Sequence, residues 1–410
     1  MDPAQLPPWD LPEGVTSRYV DTSPIGLKFH IIESVPDIIA PDHRPPLVLL
    51  LHGFPNLSYD WRFVMPKLAK AGYYAVAFDM RGFGRTHNAD LSPISENSIR
   101  PLTTVRDVVT LVHALGYECI HTLVGHDIGA FVASLCTIVR GDLVKALVMM
   151  SHPFKGSPQV PFGTAVSPPL ASAILHQARD GKREEVKADP DIQASLLKLD
   201  PPRKHYKYYN ASLEAADEWT HPTGEPMHRF LRGYFHLKSA DYSLNNPRPL
   251  KAWTAGELAV MPHYYVMRAD LSMRGNVELD MSGEPATIRD KLGDTSWLTD
   301  ADLQVYTDEF SRNTFTLALM WYKVLVNPAL SADLLCFAGT KLGVPTKYVS
   351  GTSDWGTYQV PGSLDAMEKG ESVRADCWKG AVHIPGAGHW VNMEKPEESV
   401  KEILELAGSV

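Results

Sequence analysis

Along the first third of the chain, apolar runs of strand length alternate with segments whose apolar positions recur at helical spacing. PLVLLLHGF from Pro46 and YYAVAFDM from Tyr73 are continuous apolar runs, as expected of strands covered on both faces. Between them, YDWRFVMPKLAKAG suits a helix stopping at Gly72. SIRPLTTVRDVVTLVHALG carries helical periodicity up to a glycine stop at Gly116. A strand HTLVG, a small-residue helix AFVASLCTIV and a further strand KALVMM follow. Repeated β-α-β of this kind predicts an α/β architecture, a mostly parallel sheet with helices on both faces.

After Phe154 the pattern changes. Strand-like runs vanish from about Gly156 to Ala338, while IQASLLKL, MHRFLRGYFHL and DADLQVYTDEFSR suit helices. The strand pattern returns with VPTKYVSG and WKGAVHIPG, and KPEESVKEILELAG reads as a closing helix. We expect an α/β core in two parts, residues 1–155 and 339–410, interrupted by a large helical lid at 156–338. Such an insertion would cover the carboxyl ends of the strands, where open α/β sheets bind ligands.

Composition narrows the function classes. The 410 residues are 44% hydrophobic and 21% charged, ordinary for a globular protein able to bury a large core. A net charge of −9 offers no basic field for nucleic acid. No apolar run is long enough for a membrane span. The start, MDPAQLPPWDLPEG, lacks the basic and apolar parts of a secretory signal. Cys119, Cys136, Cys336 and Cys377 show no paired spacing, which suggests reduced thiols and a cytoplasmic setting. The 16 histidines include no HExxH-type pair, so neither a metal nor a cofactor is expected.

The chemistry concentrates in LVGHDIGA, Leu123 to Ala130. Gly125 and Gly129 flank one reactive side chain on a strand-to-helix turn, in the manner of a G-x-S-x-G nucleophile elbow, with Asp127 where a serine would stand. In the α/β-hydrolase fold the order along the chain is nucleophile, acid, histidine. Asp354 in GTSDWG and His389 in GAGHW fill the later places, each just past a strand. HGFP, His52 to Pro55, follows the first long strand, so the backbone N–H of Phe54 and that of Ile128 could form an oxyanion hole. Each residue also has a plainer reading. Asp127 could cap the following helix, Asp354 could close an Asx-turn, and His389 could be a turn residue. Their joint order and placement at strand ends favour catalysis.

A carboxylate nucleophile selects its substrate. It is already anionic and needs no base for the first step, but attack on an ester or amide carbonyl gives an anhydride that reverts easily. At a strained or activated sp³ carbon it forms a stable alkyl ester. His389, held by Asp354, could then activate water against that ester. The substrate class is therefore an epoxide or an alkyl halide. An epoxide oxygen leaves as an alkoxide and needs a proton donor, a role for phenols in the lid.

HGFP, GHDIGA, the late Asp354 and GAGHW together resemble the epoxide hydrolase branch of the α/β-hydrolase fold. In the lid, the stretch ending MWYK, at Lys323, is similar to the family's Asn-Trp-Tyr-Arg signature, and HYKYYNASLEAADEW, from His205, is similar to its other lid segment. The resemblance implies proton donors at Tyr322 and Tyr206, with Tyr208 and Tyr209 adjacent to the second. It also implies a small apolar epoxide and water as the reactants. His52, Pro55, Trp321 and Trp390 are expected to line the substrate pocket. The chain departs from the family in Ile128, where a Trp is usual, and in a long lid stretch, 227–267, without a counterpart. Rival readings are a haloalkane or haloacid dehalogenase using the same nucleophile, and an inactive scaffold of the same fold. Ile128 and Gly129 stand where a haloacid-binding arginine would be expected.

Overall fold

The computed structural model describes residues 2–22, 25–38, 44–161 and 187–410. The expected lid is thus described in part, with 162–186 outside the described residues.

The strands are β1 (Thr16–Asp21), β2 (Leu27–Ser34), β3 (Leu47–Leu51), β4 (Tyr74–Phe78), the two-residue β5 (His87–Asn88), β6 (Thr122–His126) and β7 (Leu147–Met150). They continue as β8 (Arg203–His205), β9 (Val266–Arg268), β10 (Thr346–Gly351) and β11 (Trp378–Ile384). The main sheet runs β1-β2-β4-β3-β6-β7-β10-β11, with β5 beside β2. From β4 to β11 every pairing is parallel, whereas β1 and β2 pair antiparallel with each other and β2 with β4. β3, β4, β6, β7 and β10 are buried at every position; β3, β4 and β7 read as unbroken apolar runs for that reason, whereas β10 also buries Lys347, which is paired with Glu402.

The antiparallel pair was not legible in that pattern. β1 is a largely exposed edge, and β2 buries His30, Glu33 and Ser34 among its apolar residues. Those polar groups are satisfied: His30 bonds Asp79 at 2.8 Å and Glu33 accepts from Arg18 at 2.6 Å.

The helices packed on the sheet include α1 (Met65–Lys70), α2 (Pro101–Ala114) and α3 (Ile128–Val139). The single helix expected over YDWRFVMPKLAKAG is instead a 3₁₀ turn, Ser58–Trp61, followed by α1. Pro66 tolerates only the first turn of a helix, so it starts α1 rather than sitting inside a longer one.

Between β7 and β10 lie α4 (Ile192–Leu197), α5 (Tyr206–Asn210), α6 (Leu213–Thr220), α7 (Glu225–Lys238), α8 (Met273–Ser282), α9 (Asp300–Asn313) and α10 (Thr316–Val326). This is the helical insertion, but it is not free of strands: β8 and β9 form a short antiparallel pair within it. Three residues each are too few to give a periodic signal. α9 is bolted to the core by Arg62–Asp302 at 2.8 Å, Arg85–Glu309 at 2.6 Å, and Tyr306 on buried Asp60. The chain ends in α11 (Pro396–Ala407). Among the described residues no helix is long and apolar enough to cross a membrane.

Candidate active site

β6 ends at His126 and α3 begins at Ile128, so Asp127 makes the turn between them, at φ 53° and ψ −119°. A non-glycine residue held there stores strain of about 1–3 kcal/mol, which persists only when the surroundings over-determine it. They do. A Cβ on Gly125 would lie 2.2 Å from the Gly129 carbonyl oxygen, and one on Gly129 would lie 2.4 Å from that of Leu51. Only glycine lets strand, turn and helix backbones meet this closely. Asp127 accepts no capping bond from α3. Its Oδ1 instead accepts from the Phe54 N–H at 3.1 Å. The Ile128 N–H, in the first turn of α3, has no preceding turn to donate to and is the neighbouring donor.

His389 and Asp354 come to the same point from the ends of β11 and β10. His389 Nε2 is 3.4 Å from Asp127 Oδ2, and its Nδ1 is 3.0 Å from Asp354 Oδ1. Asp354 also accepts from the Gly356 N–H at 2.6 Å, so it closes a turn and orients the histidine at once. The backbone of His389 is clamped: its carbonyl accepts from His126 Nε2 at 2.7 Å and Ser151 Oγ at 2.8 Å, and its N–H donates to the Lys238 carbonyl at 2.8 Å.

Charge in this cluster is strongly coupled. Burial works against the Asp127 carboxylate, but His389, Lys238 and His126 outweigh it and hold Asp127 well below the usual carboxylate range. Burial and Lys238 pull the His389 imidazole down, while Asp354 and Asp127 push it up and prevail. Burial brings His126 down to about 4, so it is a neutral donor to the His389 carbonyl.

On the side of the helical insertion, Tyr322 of α10 packs edge-on against Phe54 at 5.2 Å, and Tyr206 of α5 packs against Tyr322 at 5.6 Å. Burial lifts both phenols well above their ordinary value, and the Asp127 charge adds to it. Both stay protonated at neutral pH. Tyr206 donates to Gln359 Oε1 at 2.8 Å. Of its neighbours, Tyr208 is 40% exposed and Tyr209 donates to Glu218 at 3.1 Å. Trp321 and Pro55 are buried beside these groups. His52 has both ring nitrogens occupied, by the Met80 N–H at 3.0 Å and the Gly53 carbonyl at 2.9 Å, so it braces the HGFP loop. Trp390 donates to the Phe235 carbonyl and stacks edge-on beneath His389 at 4.7 Å.

Sequence reasoning passed over three residues here. Glu394 accepts from the amides of Gly388, Trp390 and Ala240 at 2.9, 3.0 and 2.8 Å, tying the His389 loop to the end of α7. Lys238 and Tyr234 of α7 complete the surroundings of Asp127. Their only local signal is a Tyr-Lys pair four residues apart on an otherwise apolar helix face. A separate groove of about 700 Å³, lined by Arg229, Arg274, Val277 and Met281 among others, contains none of these residues.

The chain is similar to known proteins over nearly its whole length. A family model described as the alpha/beta hydrolase fold matches residues 46–193. Epoxide hydrolase B of Mycobacterium tuberculosis is 30% identical over 393 residues, covering 94% of this chain and 96% of that protein. Epoxide hydrolase 3 of Siraitia grosvenorii is 28% identical over 376 residues, 91% of this chain and 92% of its own. Among solved structures, an epoxide hydrolase from an endophytic Streptomyces aligns with a TM-score of 0.69 at 25% identity, covering 97% of this chain and 96% of the other.

Proposed function

This chain belongs to the epoxide hydrolases of the α/β-hydrolase fold, and from that premise we propose that it opens an epoxide to a vicinal diol through an alkyl ester on Asp127. The observation that carries the proposal is the pair of contacts on one carboxylate: Oδ1 on the Phe54 N–H, Oδ2 facing His389.

In the first half-reaction an Asp127 oxygen attacks an epoxide carbon and the C–O bond of the ring breaks. The leaving oxygen takes a proton from Tyr322 or Tyr206. A buried phenol suits this, since it holds its proton until an alkoxide appears. For Tyr206, turning the Gln359 amide over would let its otherwise unpartnered Nε2 donate to the phenol oxygen and free the hydroxyl hydrogen for the substrate.

In the second half-reaction His389 Nε2, which faces Asp127 Oδ2 at 3.4 Å before the ester forms, takes a proton from water as that water attacks the ester carbonyl. The tetrahedral oxyanion forms on Asp127 itself, where the Phe54 and Ile128 N–H groups would receive it. Collapse breaks the ester C–O bond; the departing alkoxide takes the hydroxyl proton left on Asp127, giving the diol and a carboxylate with one oxygen from water, and the proton held by His389 returns to the tyrosine phenolate. Asp354 keeps the imidazole oriented and offsets its transient charge. No step calls for a cofactor or metal. The reactants are a small apolar epoxide and water.

The test is intact mass of His389→Gln after incubation with styrene oxide. Ester formation needs no base and hydrolysis does, so an adduct of the whole epoxide should accumulate and map to Asp127. An adduct on another residue, or none while wild type turns over the same epoxide, overturns the assignment. Alkyl halides giving an adduct where epoxides give none would return the dehalogenase reading.

A further inference from the structure

The mechanism leaves a buried cation near its reacting groups unused. Lys238 closes α7 and is only 3% exposed. Its Nζ sits 5.1 Å from the ring centroid of Tyr234, 5.0 Å from Tyr265, 5.1 Å from Trp390 and 6.0 Å from Tyr264. It donates to the Tyr234 hydroxyl at 3.4 Å. Among the described residues it is held by π faces and that hydroxyl rather than by an ion pair. Ring faces replace part of the lost hydration of an ammonium without neutralising it. Burial lowers Lys238 to about 8 against the pull of Asp127 and Asp354, so it remains charged at neutral pH.

The cage is fastened to the reacting groups. The Lys238 carbonyl accepts the His389 N–H at 2.8 Å. A Cβ on Gly388 would lie 2.6 Å from that same carbonyl oxygen, so the end of α7 and the histidine loop are in backbone contact. Trp390 forms one wall of the cage and also supports the His389 ring. The end of α7 and the base are therefore held in one backbone frame.

We propose that Lys238 is a positioning residue of the reaction, a caged cation that favours ionised Asp127 for attack and weighs against protonation of His389 as base. The proposal rests on the roles given above to Asp127 and His389. Once the ester has formed, Asp127 carries no charge, and Lys238 then opposes protonation of His389 until water has to be activated. The charged and titratable groups facing this arrangement are Asp127 at the elbow, Asp354 after β10, His126 at the end of β6, His152 after β7, Lys207 and Tyr206 on α5, Tyr322 on α10, Tyr234 on α7, and Tyr264 and Tyr265 before β9.

The test compares Lys238→Met with Lys238→Arg by NMR titration of the histidine ring protons, the His389 signal being assigned by its loss in His389→Gln. Removing the cation should raise the His389 pKa by about one unit, and Lys238→Arg should hold it near wild type. Because ester hydrolysis, and not ester formation, requires neutral His389, the acid limb of kcat for styrene oxide should move to higher pH in Lys238→Met. A purely structural lysine would lower the rate at every pH and leave the limb in place. An unmoved His389 titration, or a moved titration with an unmoved limb, overturns the proposal. Lys238→Gln, which keeps a donor for Tyr234, serves where the methionine variant does not fold. Failure of the Asp127 assignment would show separately, as absence of the trapped ester.

Discussion

Asp127 is where it is because backbone touches backbone. Gly125, Gly129 and Leu51 leave no room for a Cβ between strand, turn and helix, and the Phe54 amide fixes the carboxylate that results. Tyr322, in the same site, is held by rings: Phe54 on one side and Tyr206 on another, with Lys238 enclosed nearby by four more aromatic residues. The sheet half of the site is therefore set by main-chain geometry with almost no freedom. The lid half is set by side-chain packing, which can shift by tenths of an ångström and still close. Main-chain geometry demands particular residues at fixed short spacings. Packing demands only that the total shape be right.

The sharpest way to break this contrast is Gly129→Ala. Its Cβ would sit 2.4 Å from the Leu51 carbonyl oxygen and 2.5 Å from that of His52, and neither can yield without displacing β3. We expect a loss of more than about 3 kcal/mol of stability together with loss of turnover, read by chemical unfolding and by epoxide hydrolysis. A variant with near-wild-type stability would mean that the elbow has slack after all.

The same contrast explains what the sequence disclosed. GHDIGA, HGFP and GAGHW were legible because each is a few contiguous residues whose glycines and turn positions are dictated locally, just past a strand; for GHDIGA and HGFP that strand is buried at every position. Asp354 was legible by its place after β10. By contrast, Lys238 acts through residues at 264, 265 and 390, and nothing near it in the chain announces them. Glu394 reads as the polar face of a short helix, while its real partners are three amides, one of them on the lid. The β1–β2 pair escaped for a related reason: buried His30 and Glu33 are paired with Asp79 and Arg18, and sequence pattern cannot see a partner. The resemblance named Tyr206, but the sequence could not show that Tyr209 beside it is buried too and bonds Glu218, whereas Tyr208 is exposed.

The next effect down tests the lid half directly. Tyr322→Phe and Tyr206→Phe remove one oxygen each and leave the ring packing whole. Each should slow epoxide opening by about 100-fold, measured as the rate of ester formation in single turnover, with thermal stability near wild type. The double variant should fall further, because either phenol can supply the proton when the other is missing. If both single variants opened the ring at the wild-type rate, the phenols would be packing residues only, and the lid half of the site would contribute shape without chemistry.

The smallest effect is the most diagnostic, because it repeats the first substitution in the other half. Gly233 lies inside α7, where a Cβ would meet Val277 Cγ1 at 2.7 Å and Met281 Cγ at 3.0 Å. Both contacts are to side chains on α8. Alanine gains roughly 1 kcal/mol of helix propensity over glycine, set against roughly 1–3 kcal/mol for crowding a packed interface that can partly relax. The net cost of Gly233→Ala should be about 1 kcal/mol, a small drop in Tm with turnover largely kept. The acid limb of the pH profile should stay where it is, since a slight shift of α7 leaves the Lys238 charge in its cage. A cost approaching that of Gly129→Ala would show that α7 and α8 are as rigidly registered as the elbow. The lid would then position its phenols and its cation by the same backbone constraint as the sheet, and the division drawn between the two halves would fail.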